Sequence, residues 1–229
     1  MSLLPAILLS LKLAASTTAI LLVIALPLGW WLARTRARIR PVIEAVTALP
    51  LVLPPTVLGF YLLVLMSPTS AFGGWFVQIT GQSLAFSFTG LLLASVLYSL
   101  PFAVQPVQGA FAQIGAGPIE AARSLGAGPF DAFRTVALPL ARRGVLTAAV
   151  LSFAHTLGEF GVVLMVGGNI PGRTRVISIE VFTAVETLDF ARAQLLSGGL
   201  LIFSLAVLSF VYMRGRGAGP RGTTGARLG

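Results

Sequence analysis

Two ionisable side chains stand in an apolar stretch near residue 160. His155 and Glu159 are four positions apart, so a continuous helix carries both on one face. An ionisable group is costly inside a membrane, and such a pair therefore suggests a proton relay, a gate or a hydrogen bond between subunits. The alternative is a mutually satisfied buried pair that only fixes how helices pack.

The sequence carries little else that does chemistry by itself. It has one histidine and no cysteine, which argues against a zinc or iron site built by the protein. The phosphate-binding pattern G-x-x-x-x-G-K-[ST] is absent. No nucleophile stands beside a base, and the carboxylates are not clustered. We therefore expect a chain that is not an enzyme and holds neither a metal nor a cofactor.

The composition predicts an all-α integral membrane protein. Mean hydropathy is +0.92 and only 10% of residues are charged, whereas soluble domains carry about 25%. A single membrane domain is expected over residues 1–213, followed by a basic, disordered tail at 214–229. A polar loop at 67–83 and a surface helix at 176–190 are expected between spans. The apolar segments predict five transmembrane helices, at 6–33, 42–66, 84–108, 144–166 and 195–213.

Prolines interrupt the second predicted span. Pro54, Pro55 and Thr56 follow an earlier Leu-Pro pair, so the helix must break or kink at membrane depth. One interpretation is an element that lines or gates a pathway; the other is a kink used for packing. Hydroxyl groups are further candidates for lining a pathway, although ordinary contacts between helices explain them equally: Thr56, Ser95, Ser99, Ser152 and Thr156.

Positive charge is distributed unevenly between the loops. Arginines follow the first span, occupy the 112–143 segment and end the chain, whereas few basic residues fall on the other side. The positive-inside rule then predicts an N-terminus outside and a C-terminus in the cytoplasm. The net charge of +9 is thus explained by topology and does not indicate nucleic-acid binding. The arginine-rich tail is expected to touch anionic lipid.

The 112–143 segment is polar and basic, yet its sequence predicts structure. Gly117 and Pro118 begin one short helix, with Glu120 in its first turn. The run from Gly126 to Pro129 ends that helix and begins another, which Pro139 ends or kinks. We interpret the first helix as one that docks into a groove on a partner protein; a connecting loop that happens to be helical is the alternative.

The spacing in this segment resembles the EAA loop of ABC-importer permeases. The matching positions are Glu120, Ala121, Ala122, Gly126, Val136, Leu138 and Pro139. Val136 is the one departure, where the family more often has isoleucine. The resemblance implies the architecture of a type I ABC-importer permease. It also implies that this loop couples the permease to a cytoplasmic ATPase subunit.

Two longer stretches extend the resemblance to nearly the whole chain. The residues 49–59 look like a second-span signature of molybdate permeases, and 155–172 look like a signature shared with tungstate and sulfate permeases. The resemblance implies a homodimer in the bacterial inner membrane with two ATPase subunits and a periplasmic or surface oxyanion-binding protein. The implied activity is import of an oxyanion by alternating access. Molybdate is the nearest match; sulfate or tungstate, and a proton-driven secondary transporter, remain alternatives.

Overall fold

The computed structural model describes residues 3–215, and every regular element in that range is helical. A 3₁₀ turn at Leu49–Leu51 follows α2, and a π turn at Phe133–Ala137 joins α7 to α8. The helices are α1 Leu4–Arg34, α2 Arg40–Ala48, α3 Pro55–Met66, α4 Ala71–Thr80, α5 Phe88–Ile114, α6 Gly117–Ser124, α7 Pro129–Ala132, α8 Leu138–Gly158, α9 Gly161–Gly167, α10 Ile177–Glu186 and α11 Phe190–Gly215.

The number of spans agrees with the sequence. Among the described residues, α1, α5, the continuous stretch from α7 through α8, and α11 are long and apolar enough to cross a membrane. The bent pair of Arg40–Leu51 and Pro55–Met66, with 107° between its halves, makes a fifth if the two halves form one span. The prediction of an all-α membrane protein with about five spans is confirmed, and so is the break at the prolines.

The centre of the bundle is built by α1, α5 and α8. Leu21, Leu32, Val104 and Val107 are completely buried there, as an apolar face packed between helices requires. Small residues let the backbones come close, as at Gly29, where an added Cβ would lie 2.8 Å from a methyl group of Val107. This three-helix centre holds the shorter elements in position.

The shorter helices attach to this centre through polar contacts. Glu44 of α2 accepts hydrogen bonds from Arg40 at 2.9 Å and from Gln108 of α5 at 2.6 Å. At the other end of the bundle, the backbone N–H of Ile177 donates to the hydroxyl of Ser10 in α1 at 2.8 Å. The contacts made by Gln108 and by Ile177 therefore join segments that are distant in sequence.

Several predicted boundaries are wrong. The 67–83 loop contains α4, which begins where the Ser70 hydroxyl accepts from the N–H of Gly73 and ends at Gly81 with a φ of 69°. The expected surface helix is shorter and has one buried face, on which Ile179 is completely buried. The last helix reaches Gly215, two residues into the predicted tail; the remainder of that tail lies outside the described residues.

The fourth span also differs from the prediction. It begins earlier, because Pro139 does not end the preceding helix. The π turn just before it changes the hydrogen-bond register where an α-helix would press the proline ring against the carbonyl of Thr135. The helix then stops at Gly158 instead of continuing to 166. A break of two residues therefore separates α8 from α9.

Candidate functional site

The two helix breaks lie against each other. Pro54 has an extended backbone (φ −54°, ψ 135°) ahead of α3, and Glu159 has one (φ −66°, ψ 134°) after α8. Gly161, the first residue of α9, faces Pro55, so that an added Cβ would lie 2.7 Å from the Cβ of that proline. Gly59 makes a similar approach to Met165, at 2.8 Å. We call this junction of Pro54–Gly59 with Glu159–Met165 the double break.

The double break leaves backbone N–H donors unpaired and contains no basic side chain. Neither α3 nor α9 begins with a side-chain cap. The first N–H groups of α9 therefore lack the usual side-chain acceptor. In α3, Pro55 has no N–H, and the N–H of Val57 donates to the carbonyl of Pro54. Only the N–H of Thr56 is therefore left in the first turn of α3. No lysine or arginine occurs in either helix. The junction is thus polar at its backbone and electrically neutral in its side chains, apart from the carboxyl group of Glu159.

A small hydrogen-bonded cluster lies beside the double break and joins α5 to α8. The hydroxyl of Ser99 is 2.9 Å from Nδ1 of His155 and 3.0 Å from Oγ1 of Thr156. The His155 ring stacks on Phe102, with 3.9 Å between the ring centroids. Ser99 is completely buried and Thr156 is 4% exposed. His155 is therefore held by packing and by a hydroxyl, as a structural residue would be.

Glu159 does not share a helical face with His155, and that prediction is wrong. Because α8 ends at Gly158, Glu159 has left the helix. The residue is 5% exposed, and neither carboxylate oxygen has a hydrogen-bond partner among the described residues. Its backbone carbonyl accepts a hydrogen bond from the hydroxyl of Ser178 in α10. The carboxyl group therefore lies buried next to the double break, facing the hydroxyl of Ser95 and without an ion-pair partner among the described residues.

The candidate pathway residues divide into two groups. Pro54, Pro55 and Thr56 are exposed at the start of α3. The predicted hydroxyls on α5 and α8 are buried. The hydroxyl of Ser152 has no hydrogen-bond partner in the described part of the chain, and that of Ser95 faces the carboxyl group of Glu159. The structure therefore brings the proline break and Glu159 to one junction, and it keeps the hydroxyls within the helix bundle.

The predicted coupling segment forms a helical hairpin at the end of α5. Ile119 is only 4% exposed and anchors α6 in the core. Gly126 then turns the chain with a φ of 92°, a conformation that side chains with a Cβ rarely adopt. Glu120 and Ala121 are exposed, and Ala122 is partly buried.

The tip of this hairpin is apolar and open. Leu125 is 90% exposed and Phe130 is 74% exposed. Leu125 follows the end of α6 and caps it, so its side chain stands beyond the last helical turn. At the other end of the segment, Leu138 is partly buried and Pro139 is exposed as α8 begins. An exposed apolar tip of this kind is typical of a surface that contacts another protein.

Sequence reasoning missed the small residues at the double break. Gly59 and Gly161 stand in apolar runs, where an isolated glycine signals close approach of a second backbone. It also missed the ion pairs of Glu180, whose carboxylate lies 2.8 Å from Arg192 and 3.6 Å from Arg175. These three residues are not adjacent in the sequence, so no local pattern indicated that they form ion pairs.

Known proteins match this chain along most of its length. Residues 25–216 match the model for the inner membrane component of binding-protein-dependent transport systems. The chain belongs to this family. It is therefore a transport protein that crosses the inner membrane several times, in agreement with its apolar helices.

Several relatives of this chain are molybdenum permeases. The chain is 55% identical to the molybdenum transport system permease protein ModB of Azotobacter vinelandii, covering 91% of this chain and 92% of that protein. It is 35% identical to ModB of Escherichia coli K12, covering 88% and 90%. The sulfate transport system permease protein CysT of Salmonella typhimurium is 33% identical, covering 81% and 67%.

Solved structures agree on the fold of this family member. A bacterial alginate ABC transporter, in complex with an alginate-bound periplasmic protein, superimposes with a TM-score of 0.74 at 15% identity. That match covers 93% of this chain and 78% of the other. An amino acid ABC transporter superimposes with a TM-score of 0.62 at 17% identity, covering 92% and 91%. The chain thus has the fold of an ABC-transporter permease.

Proposed function

We propose that this chain is the permease subunit of an ATP-driven importer and that its substrate is an oxyanion. Molybdate is the first candidate. The observation that carries this is the 55% identity to a molybdenum permease over nearly the full length of both chains. The sulfate permease is less similar, at 33% identity over two thirds of its own length. Tungstate, which has the same charge and tetrahedral shape as molybdate, remains a second candidate substrate.

The chemistry of the double break supports passage of an anion. A lysine or arginine fixed in mid-membrane would hold a dianion instead of releasing it. Neither α3 nor α9 contains one, and the groups available to a passing anion are hydroxyls and backbone N–H donors. Selection among oxyanions then belongs mainly to a separate binding protein, which can surround the anion with donors before delivery.

We propose alternating access as the mechanism. ATP binding closes two ATPase subunits, and the coupling segments move with them. Because the helical hydrogen bonds are interrupted at both breaks, the halves on either side of each break can shift relative to one another. The double break then opens outward, the anion enters from its binding protein, and ATP hydrolysis restores the inward state. The proposed gate residues are Pro54, Pro55, Thr56, Ser99, His155, Thr156 and Glu159.

The partners follow from this mechanism. Two copies of the chain enclose the pathway, since five spans are few to form one alone. The coupling residues proposed to contact the ATPase are Glu120, Ala121, Ala122, Gly126, Leu138 and Pro139. The N-terminus faces outward and the C-terminus inward, which brings this segment to the cytoplasmic side. ATP is bound by the ATPase, and this chain needs no cofactor of its own.

Uptake into vesicles tests the proposal. Vesicles carrying this chain with its ATPase and binding protein are loaded with ATP, and entry of labelled molybdate is measured with tungstate or sulfate as competitor. Competition by tungstate but not by sulfate is the expected result. Equal competition by sulfate would reassign the substrate and leave the coupling mechanism standing. Uptake that needs no ATP but collapses with an uncoupler would replace the whole proposal with proton-driven transport.

A further inference from the structure

A basic cavity lies between the coupling segment and the ends of α1 and α5. Its volume is about 450 Å³, within the range of small-ligand sites. Four arginines line it together with one acidic residue, and apolar and backbone groups of the three helices complete the wall. The charged lining residues are Arg34, Arg36, Arg40, Arg123 and Glu120.

Positive charge in this cavity exceeds negative charge. Arg40 is already paired with Glu44, at 2.9 Å. Arg34 is held against the wall, where its guanidinium lies 4.1 Å from the centre of the Trp30 ring and donates a hydrogen bond to the carbonyl of Gly115. No side-chain partner is found within residues 3–215 for Arg36 or Arg123. Several guanidinium donors thus remain free to bind a ligand.

The depth of the cavity suits a lipid headgroup. With 27 and 31 residues, α5 and α1 are about 40 and 46 Å long. Both lengths exceed the hydrocarbon thickness of about 30 Å. The cavity is lined by the last residues of both helices, so it lies at headgroup level on the side assigned to the cytoplasm. Basic pockets between membrane helices at this level are suited to phosphate headgroups.

The coupling helix contributes to the cavity without using its tip. Ile119, Glu120 and Arg123 of α6 line the cavity, and their spacing puts them on one face of the helix. Ala121 falls on the opposite side of the helix by its spacing and is exposed, as is Leu125 beyond the end of α6. A ligand in the cavity would therefore contact α6 and the end of α1 together while leaving the tip free for another protein.

We propose that this cavity binds the phosphate of an anionic phospholipid, held by Arg34, Arg36 and Arg123. Guanidinium groups form paired, charge-assisted hydrogen bonds with phosphate. The bound headgroup neutralises the excess arginine charge and links the coupling helix to the end of α1. The inference does not depend on which anion the protein transports.

Tryptophan fluorescence can measure this binding, because Trp30 contacts Arg34. Replacing Trp31 and Trp75 by phenylalanine leaves Trp30 as the only tryptophan. The purified full-length chain, in uncharged detergent, is titrated with phosphatidylglycerol and with phosphatidylcholine of the same acyl chains. We expect saturable binding of phosphatidylglycerol only. Equal responses to both lipids would overturn the proposal.

Matched arginine variants locate the site. The double variant Arg36→Gln/Arg123→Gln should weaken phosphatidylglycerol binding about 25-fold, at about five-fold for each arginine. The control Arg142→Gln/Arg143→Gln removes the same charge from exposed positions of α8 outside the cavity, and a change of less than about twofold is expected. Equal losses in both variants would mean diffuse attraction to charge and would contradict a defined site.

A second comparison separates the lipid from a soluble anion. Inorganic phosphate and glycerol 3-phosphate are titrated in place of the lipid, up to millimolar concentrations. A headgroup site should bind both far more weakly than phosphatidylglycerol, because neither brings acyl chains to the membrane face. Binding as tight as that of the lipid, lost in the same double variant, would contradict the lipid assignment and make the cavity a site for free phosphate.

Discussion

The coupling hairpin and the double break both interrupt helices with glycine and proline, but for different physical reasons. At Gly126, φ is 92° and no atom lies within 4 Å of an added Cβ, so the glycine is needed for its backbone conformation. At Gly161 an added Cβ would lie 2.7 Å from Pro55, so the glycine is needed for space. The exposed turn has room for a side chain but needs its backbone angle, whereas the packed junction has no room for a side chain at Gly161.

The largest effect is expected at the exposed turn. Gly126→Leu should abolish ATP-driven uptake while the chain still inserts into the membrane, because the left-handed conformation costs a residue with a Cβ about 1–2 kcal/mol and the hairpin changes shape. Gly128→Leu is the matched control, since that residue already has a φ of −68° and open space around it. Uptake by both variants is measured at equal membrane content; normal uptake by the Gly126 variant would contradict the coupling role.

The buried junction should respond in stability. Gly161→Ala forces a methyl group against Pro55 and should lower the free energy of unfolding by about 1–3 kcal/mol. Gly158→Ala, three residues earlier, meets nothing within 4 Å and should be neutral or stabilise α8 by up to about 1 kcal/mol. Thermal unfolding of the purified chains checks the difference. Similar midpoints for both variants would mean that the two breaks are not tightly packed.

The exposed tip should affect binding without affecting stability. Leu125→Ser removes an apolar side chain that is 90% exposed, so the unfolding temperature of the isolated chain should not change. Affinity for the ATPase subunit should fall about tenfold, a loss near 1.4 kcal/mol, if this side chain enters a groove on that partner. Co-purification at graded ATPase concentration measures the loss. Unchanged affinity would remove Leu125 from the docking surface.

The smallest effect is expected at His155, where two variants distinguish a packing role from a proton relay. Asparagine can still offer a hydrogen-bonding group to Ser99, so His155→Asn should retain most of the ATP-driven uptake. His155→Ala loses both that bond and the stacking on Phe102, and should cost about 2 kcal/mol of stability. Uptake and unfolding are measured on both. Loss of uptake in the asparagine variant, with stability retained, would favour a proton relay.

Local signals predicted much of this molecule. Long apolar runs predicted the spans, and Pro54–Pro55 predicted the bend of the second one. The sequence did not predict the short helix α4, because polar residues surround its apolar ones and made the whole segment resemble a loop. The end of α8 was missed as well, since nothing in the local sequence from His155 to Phe160 forces an α-helix to stop.

The sequence by itself determined the membrane class, about five spans, the position of the first break and the short helices of the 112–143 segment, because hydropathy, charge and proline act locally. Only the tertiary structure decided where Glu159 lies, which hydroxyls meet His155, and why Gly59 and Gly161 are small. Those outcomes depend on the close approach of α3, α5, α8 and α9. Contacts between residues distant in the chain leave no spacing that a sequence reading can detect.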